Sequence, residues 1–190
     1  MMNDIDIWLE RLTSLYRSQI RHAANNEGIQ PVHVEILQYL SISNRYSNTA
    51  QALSEYLGQT KGSISQSLKL LEKEGFIERR PCTEDKRVTR LYLTPKAKAS
   101  IKRISNLLMP NLGEAKEVSD AVKSLLMEWQ HKNNHQGFGQ CQSCRYNRSL
   151  GNGKFQCGLT GEPLSKIEVK QLCREHEFQS QSENQSRVGP

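Results

Sequence analysis

The sequence predicts a mainly α-helical protein with one small β-hairpin (α+β), followed by a small cysteine-rich module. Three observations lead there. Apolar residues recur at spacings of three and four through most of the first 131 residues, the period of helices with one buried face. Between Phe76 and Leu93 this period gives way to two short runs with strand character. Beyond His131 aliphatic residues thin out, and four of the five cysteines fall between 141 and 173.

Each element has its own signals. Ile5, Trp8, Leu9, Leu12, Leu15, Tyr16 and Ile20 predict a first helix over 5–20, with Asp4 as N-cap and Asn25, Asn26 and Gly28 ending it. Pro31 opens a second helix carrying Val34, Ile36, Leu37 and Leu40. A polar loop, 41–47, follows. Asn48 or Thr49 caps a short third helix with Ala50, Leu53 and Leu57 inward, stopped by Gly58. Thr60 caps a fourth helix over 61–74, with Ile64, Leu68 and Leu71 facing the core and Gly75 as its stop. Strands are expected over 76–80 and 87–93, joined by a turn at Pro81-Cys82-Thr83-Glu84-Asp85-Lys86. Thr94-Pro95 starts a helix with Ile101, Ile104, Leu107 and Leu108, broken by Pro110 and Gly113. A last long helix covers about 114–131, with Val118, Val122, Leu125 and Trp129 on one face. Trp8 and Trp129 read as core or interface aromatics.

The chain of 190 residues has 36% hydrophobic and 24% charged residues, enough for one ordinary domain and a small appendage. No apolar run approaches the length of a membrane span, and the first residues carry Asp4 and Asp6 rather than a basic and apolar leader, so the expected location is the cytoplasm. The expected organisation is a helical and hairpin domain over 1–131 with its core at 30–95, a polar linker 132–137, the cysteine module 138–178, and a Gln- and Ser-rich disordered tail 179–190. A Gly-rich phosphate loop, a His-Glu-x-x-His run and an ordered Ser-His-Asp set are all missing, which argues against an enzyme.

The net charge is +6, and its distribution is uneven: residues 1–57 sum to −2, residues 58–103 to +7 and residues 104–190 to +1. A concentrated basic stretch is the footprint of a phosphate-binding surface. It coincides with a short helix, a tight turn at Gly58-Gln59 and a second amphipathic helix, the order of a helix-turn-helix, with the basic hairpin as a wing. With Ile64, Leu68 and Leu71 inward, Lys61, Ser63, Ser65, Gln66 and Lys69 face out. Gln66 suits an adenine edge, Lys61 and Lys69 a guanine or a phosphate, and Ser63 and Ser65 permit close approach. The wing offers Arg79, Arg80, Lys86, Arg87 and Arg90, with Arg79 and Arg80 suited to phosphates. An arginine at the hairpin tip suits a narrow minor groove. The expected partner is double-stranded DNA.

The stretch Leu53 to Pro95 resembles the MarR family of winged helix-turn-helix regulators. The resemblance is carried by Leu53-Ser54-Glu55-Tyr56-Leu57-Gly58 and by Ser63 to Ile77 with its Leu71-Glu72-Lys73-Glu74-Gly75-Phe76-Ile77. Asp85-Lys86-Arg87 and Leu91-Tyr92-Leu93-Thr94-Pro95 complete it. It implies a homodimer held by helices at 5–24, 96–109 and 114–131, reading a pseudo-palindromic operator, with repression the expected mode. It also implies that Arg87 enters the minor groove and that Asp85 braces the wing by pairing with a nearby arginine.

The cysteines follow the spacing Cys141-x2-Cys144-x12-Cys157-x15-Cys173, with His176 three residues on as a possible substitute ligand. A CxxC pair chelates one metal through a tight turn, and two later thiolates complete a four-ligand site. Metal binding would supply folding energy that this aliphatic-poor segment lacks. Either Zn2+ or an iron–sulfur cluster suits the pattern. Cys82 lies apart in the wing, where basic neighbours would favour its thiolate. The expectation is a regulator whose cysteine module senses metal or redox state. The alternative is a DNA-binding protein whose module is a structural zinc clip or a protein-docking platform, with a small-molecule effector near the dimer helices.

Overall fold

A computed structural model describes residues 3–83, 85–108, 116–133 and 137–178. The tail at 179–190, Glu84, the Pro110–Gly113 break and residues 134–136 of the linker lie outside them. The chain divides into two compact units: residues 1–41 with 57–113, and residues 42–56 with 114–190.

The first unit begins with α1, Asp4–Glu27. Its N-cap is Asn3 rather than Asp4: the Asn3 side chain accepts from the Asp6 amide at 2.9 Å and the Asp6 carboxylate accepts from the Asn3 amide at 3.1 Å. The helix runs past Ile20 because Ala23 and Ala24 continue its buried stripe before Gly28 ends it in a left-handed conformation. Those alanines and Ile20 pack with Val34 of α2 (Pro31–Ile42) and with Ile104 and Leu108 of α5 (Pro95–Leu108). Arg103 of α5 clamps Glu27 through two hydrogen bonds of 2.7 Å. The first half of α1 buries nothing. Ile5, Leu12 and Trp8 are exposed, Trp8 at 70%, which removes Trp8 from the core. Helix α4 is Lys61–Lys73, capped by the Thr60 hydroxyl, with Ile64, Ser67, Leu68 and Leu71 buried. It leads to an antiparallel hairpin, β1 (Ile77–Pro81) and β2 (Thr89–Leu93), in the register Arg79 opposite Leu91. The hairpin therefore starts one residue later, and its second strand two residues later, than the pattern predicts. Thr94 closes its base, donating from its hydroxyl to the carbonyls of Gly75 and Phe76.

The second unit holds α3 (Ala50–Leu57, to Tyr56), α6 (Lys116–Lys132) and the cysteine module. The module consists of very short strands: β3 (Gly139–Gln140) pairs with β7 (Leu172–Cys173), and β4 (Asn147–Ser149), β5 (Phe155–Cys157) and β6 (Pro163–Leu164) form a three-stranded antiparallel sheet. A short α7, Lys166–Lys170, begins with a capping box between Ser165 and Glu168. Its small core gathers Cys141, Leu164 and Val169, with Tyr46, Phe155 and Cys157 against them. The segment before α3 lies along β7: Ser43 bridges Leu172 in parallel, and the Asn44 amide donates to the Leu172 carbonyl at 2.9 Å. Helix α6 has no buried residue, and Val118, Val122, Leu126 and Trp129 (54%) stand exposed along it.

The Glu27 pair makes a pH prediction. The hydrogen bonds from Arg103 hold the Glu27 carboxyl below its ordinary value of 4.5. A depressed folded-state value contributes stability above the unfolded value and loses it as pH falls through the folded one. Glu27→Gln should therefore lower the urea midpoint at neutral pH and narrow the gap to wild type below about pH 4.5. A gap that persists unchanged into acid would contradict the ion pair.

Candidate nucleic-acid interface and thiol cluster

The turn between α3 and α4 is set by Gly58, at φ 62°, a conformation that a side chain disfavours. Thr60 then accepts from the Ser63 amide at 3.2 Å and fixes the first turn of α4. Along α4, Lys61, Ser63, Gln66 and Lys69 are exposed and Ser65 is half-buried, so the five outward candidates occupy the face opposite Ile64, Leu68 and Leu71. The Ser63 hydroxyl donates to the Gln59 side chain at 3.2 Å.

The wing arginines differ in their ties. Arg79 is half-buried and pairs with Glu72 of α4 at 2.9 Å, which straps β1 to the helix. Arg80 pairs with Glu78 at 2.7 Å and lies over the Tyr92 ring at 4.9 Å. Arg90 is half-buried, with its guanidinium 4.0 Å from the Cys82 sulfur. Lys86 is exposed. Arg87 has a side chain 91% exposed, yet its guanidinium is held by both oxygens of Asp85 at 3.0 and 3.1 Å. Asp85 also accepts from the Arg87 amide at 3.0 Å, so one carboxylate orients both backbone and side chain of the tip. These bonds hold Asp85 below and raise Arg87 above their ordinary values.

The second unit gathers the other candidates. Cys141 and Cys144 are joined by a 3-10 turn, Cys157 ends β5 and Cys173 ends β7. All are free thiols, and the four line one cavity together with Asn44 and Tyr46. Burial, and then the neighbouring Cys173, Cys144 and Cys157, push the Cys141 thiol up to about 12. Burial also raises Cys173. Among the described residues no three His, Cys, Asp or Glu side chains close on a single point as an ion would require. The thiols surround a common space instead. Cys82 is in the other unit.

His176 does not line this cavity. It is buried with Nε2 3.0 Å from the Ser143 hydroxyl, its ring edge-on to Phe178 at 4.3 Å. Burial lowers its pKa to about 4. Gly139 makes room for it, since a Cβ there would lie 2.7 Å from the imidazole Nδ1.

Five residues at the cavity and its border escape the sequence reading: Asn44, Tyr46, Ser47, Glu55 and Arg174. Asn44 and Ser47 are fully buried although the pattern assigns them to a polar loop. The Asn44 Oδ1 accepts from the Tyr46 amide at 3.1 Å and the Ser47 hydroxyl at 2.9 Å. Ser47 accepts from the Arg174 amide at 2.8 Å, and the Arg174 guanidinium grips Glu55 at 2.5 and 2.9 Å. Tyr46 donates to Glu162 at 2.5 Å, and Arg45 reaches Glu162 and Glu168. The only prior hint was the run of polar residues between two helices, which spacing rules read as a surface loop.

The order α3, Gly58 turn, α4 and β1–β2 hairpin is the element order of a winged helix-turn-helix. Residues 27–88 match the sequence model of the MarR family. Among solved structures, wild-type MarR of E. coli in its apo form aligns with TM-score 0.52 at 18% identity over 67% of this chain and 98% of that one. AbsC, a MarR family regulator of Streptomyces coelicolor, aligns with TM-score 0.53 at 18% identity, covering 71% and 99%. A MarR family regulator from Silicibacter pomeroyi gives TM-score 0.55 at 18% identity, covering 66% and 86%. At these identities the structural likeness is one of fold. No helix among the described residues is long and apolar enough to cross a membrane.

The close approach at Gly139 can be checked directly. Gly139→Ala should destabilise the module by about 1–3 kcal/mol, the cost of overpacking against a ring that cannot retreat. Thermal unfolding of the full chain measures it, and an unshifted midpoint would show that the imidazole moves freely.

Proposed function

We propose that this chain is a DNA-binding transcriptional regulator that works as a homodimer on a pseudo-palindromic operator, with a four-thiolate metal centre reporting metal supply or redox state. The observation that carries the DNA reading is the exposed polar face of α4 beside a hairpin whose tip arginine projects into solvent in a fixed orientation. In this reading Gln66, Lys61 and Lys69 read base edges in the major groove, with Ser63 and Ser65 allowing close approach. Arg87 enters the minor groove. Lys86, Arg80 and Arg90 contact phosphates. Arg79, tied to Glu72, chiefly sets the angle between wing and helix. The exposed apolar faces of α1 and α6 support the homodimer, since each large side chain buried there would contribute about 1.5–3 kcal/mol. Repression by occupying the operator is the simplest mode for such a protein.

The four free thiols on one cavity carry the metal reading. Thiolates crowded in a buried space repel one another, and a bound cation reverses that balance. Cys141, Cys144, Cys157 and Cys173 would hold it. The centre, Zn2+ or an iron–sulfur cluster, would supply the positive charge that lets four thiolates coexist. A second reading has its own support: the module is tied to the 43–56 segment by Asn44, Ser47, Arg45 and Glu55, as a purely structural clip would be.

Two experiments test these readings. Arg87→Ala and Lys69→Ala should each weaken binding by roughly fivefold to a hundredfold, the range for one lost groove contact. The probe is duplex DNA selected by the wild-type chain from a random pool. Affinities equal to wild type for both would defeat the groove assignment. Metal and acid-labile sulfide analysis of anaerobically purified protein should give either one zinc per chain or iron with sulfide. Neither, in folded protein, would remove the metal centre.

A further inference from the structure

Four thiols line one cavity, but separate pieces of backbone bring them there. Cys141 and Cys144 share the 3-10 turn. Cys157 ends β5 in the three-stranded sheet, and Cys173 ends β7 in the sheet it forms with β3. Among the described residues no three of these side chains close on a single point. The cavity keeps about 30 Å³ of free space, room for roughly two water molecules.

A single zinc ion asks for a different arrangement. At a Zn–S distance of about 2.3 Å, tetrahedral geometry sets the four sulfurs about 3.8 Å apart, in contact with one another and with no space between them beyond the ion itself. An iron–sulfur cluster instead places iron and inorganic sulfide between the four cysteine sulfurs. Its ligands therefore stand further apart, around a common volume.

Asn44 supplies a second, independent observation. It is 2% exposed and lines the same cavity. Its side-chain oxygen is taken up by its own segment, accepting from the Tyr46 amide at 3.1 Å and the Ser47 hydroxyl at 2.9 Å. Its Nδ2 is buried and has no hydrogen-bond partner among the described residues. A buried donor is costly to leave unpaired, so this wall calls for an acceptor within the cavity. The inorganic sulfides of a cluster are such acceptors, and hydrogen bonds to them are one of the means by which a protein tunes a cluster.

We infer that the cavity takes an iron–sulfur cluster rather than a single Zn2+ ion, held by Cys141, Cys144, Cys157 and Cys173, with Asn44 Nδ2 donating to one of its inorganic sulfides. This rests on reading the cavity as a metal centre, and it commits that reading to one class of cofactor. Asn44 is then a positioning residue of the cluster. Its oxygen fixes the amide on the 43–56 segment, and its nitrogen meets the sulfide.

The test uses the full chain purified anaerobically, with iron, zinc and acid-labile sulfide counted and the Fe–S stretching bands followed by resonance Raman. Iron and sulfide should be present in equal amounts without zinc, and the bridging-sulfide bands should shift on transfer to D2O. Asn44→Asp keeps an oxygen for Tyr46 and Ser47 but removes the donor. It should lose its iron to a chelator about tenfold to a hundredfold faster than wild type, the usual cost of an outer-shell partner. One zinc per chain without sulfide would overturn the cluster and leave a metal centre standing. Bridging-sulfide bands unmoved by D2O in the wild type, or wild-type iron loss from folded Asn44→Asp, would overturn the part given to Asn44. The D2O shift decides that point should Asn44→Asp fail to fold. A folded wild-type chain holding neither metal would overturn the cluster and the metal centre together.

Discussion

The constraint on which the second unit turns is the crowding of four thiols in one buried cavity. Residues 137–178 have few aliphatic side chains to bury, and their small core includes Cys141 and Cys157 themselves. A unit of this size cannot rely on apolar burial alone. Its elements are correspondingly minimal: strands of two or three residues, a 3-10 turn that sets Cys141 and Cys144, and a helix of one and a half turns held by a capping box. The 3-10 turn, β5 and β7 carry the cysteines to the cavity, while β4 and β6 add Asn147 and Leu164 to its wall. Even the glycine at 139 serves this end, because it lets the buried imidazole of His176 pack flat beside the strand that precedes the first thiol.

The same constraint explains why the 43–56 segment belongs to this unit. Ser43, Asn44, Ser47 and Asn48 are buried polar residues, which a fold tolerates only when their groups are satisfied. The segment satisfies much of this demand by running beside β7 and by trading bonds with Arg174. In return the module gains a wall, with Tyr46 and Asn44 on the cavity and Arg45 reaching Glu162 and Glu168. Sequence continuity then makes the first helix of the helix-turn-helix a direct extension of that wall.

What sequence could reveal follows from the range of the forces involved. Helices α4 and α5 and the hairpin are local: their buried positions recur at fixed spacing, and Thr60, Pro95 and Gly75 punctuate them. The structure keeps them within about two residues of expectation. The capping of α1 by Asn3 turns on a reciprocal side-chain bond that residue type alone does not decide between neighbours Asn3 and Asp4. Helix α1 outran its pattern because Ala23 and Ala24, small and easily discounted, are fully buried. The four cysteines line one cavity, and their clustering between 141 and 173 is visible in the sequence itself. Asn44, Ser47, Glu55 and Arg174 were not, since their bonds join residues more than a hundred positions apart and carry no periodicity.

The wing shows how an exposed basic surface can be held extended at little energetic cost. Each of its arginines Arg79, Arg80 and Arg87 already has a carboxylate partner: Glu72, Glu78 and Asp85. Where the pair is exposed, as for Arg80 and Arg87, the attraction is largely screened, so exchanging the carboxylate for another anion sacrifices little. The carboxylate still does two things beforehand. It limits the rotamers of a long side chain, reducing the entropy lost on binding, and it keeps the guanidinium extended from the hairpin rather than folded onto the protein. Arg79 is the contrasting case. Its half-buried pair with Glu72 links strand to helix, so exchanging that partner would loosen the wing. Burial thus separates the exposed pairs of Arg80 and Arg87 from the half-buried pair by which Arg79 straps strand to helix.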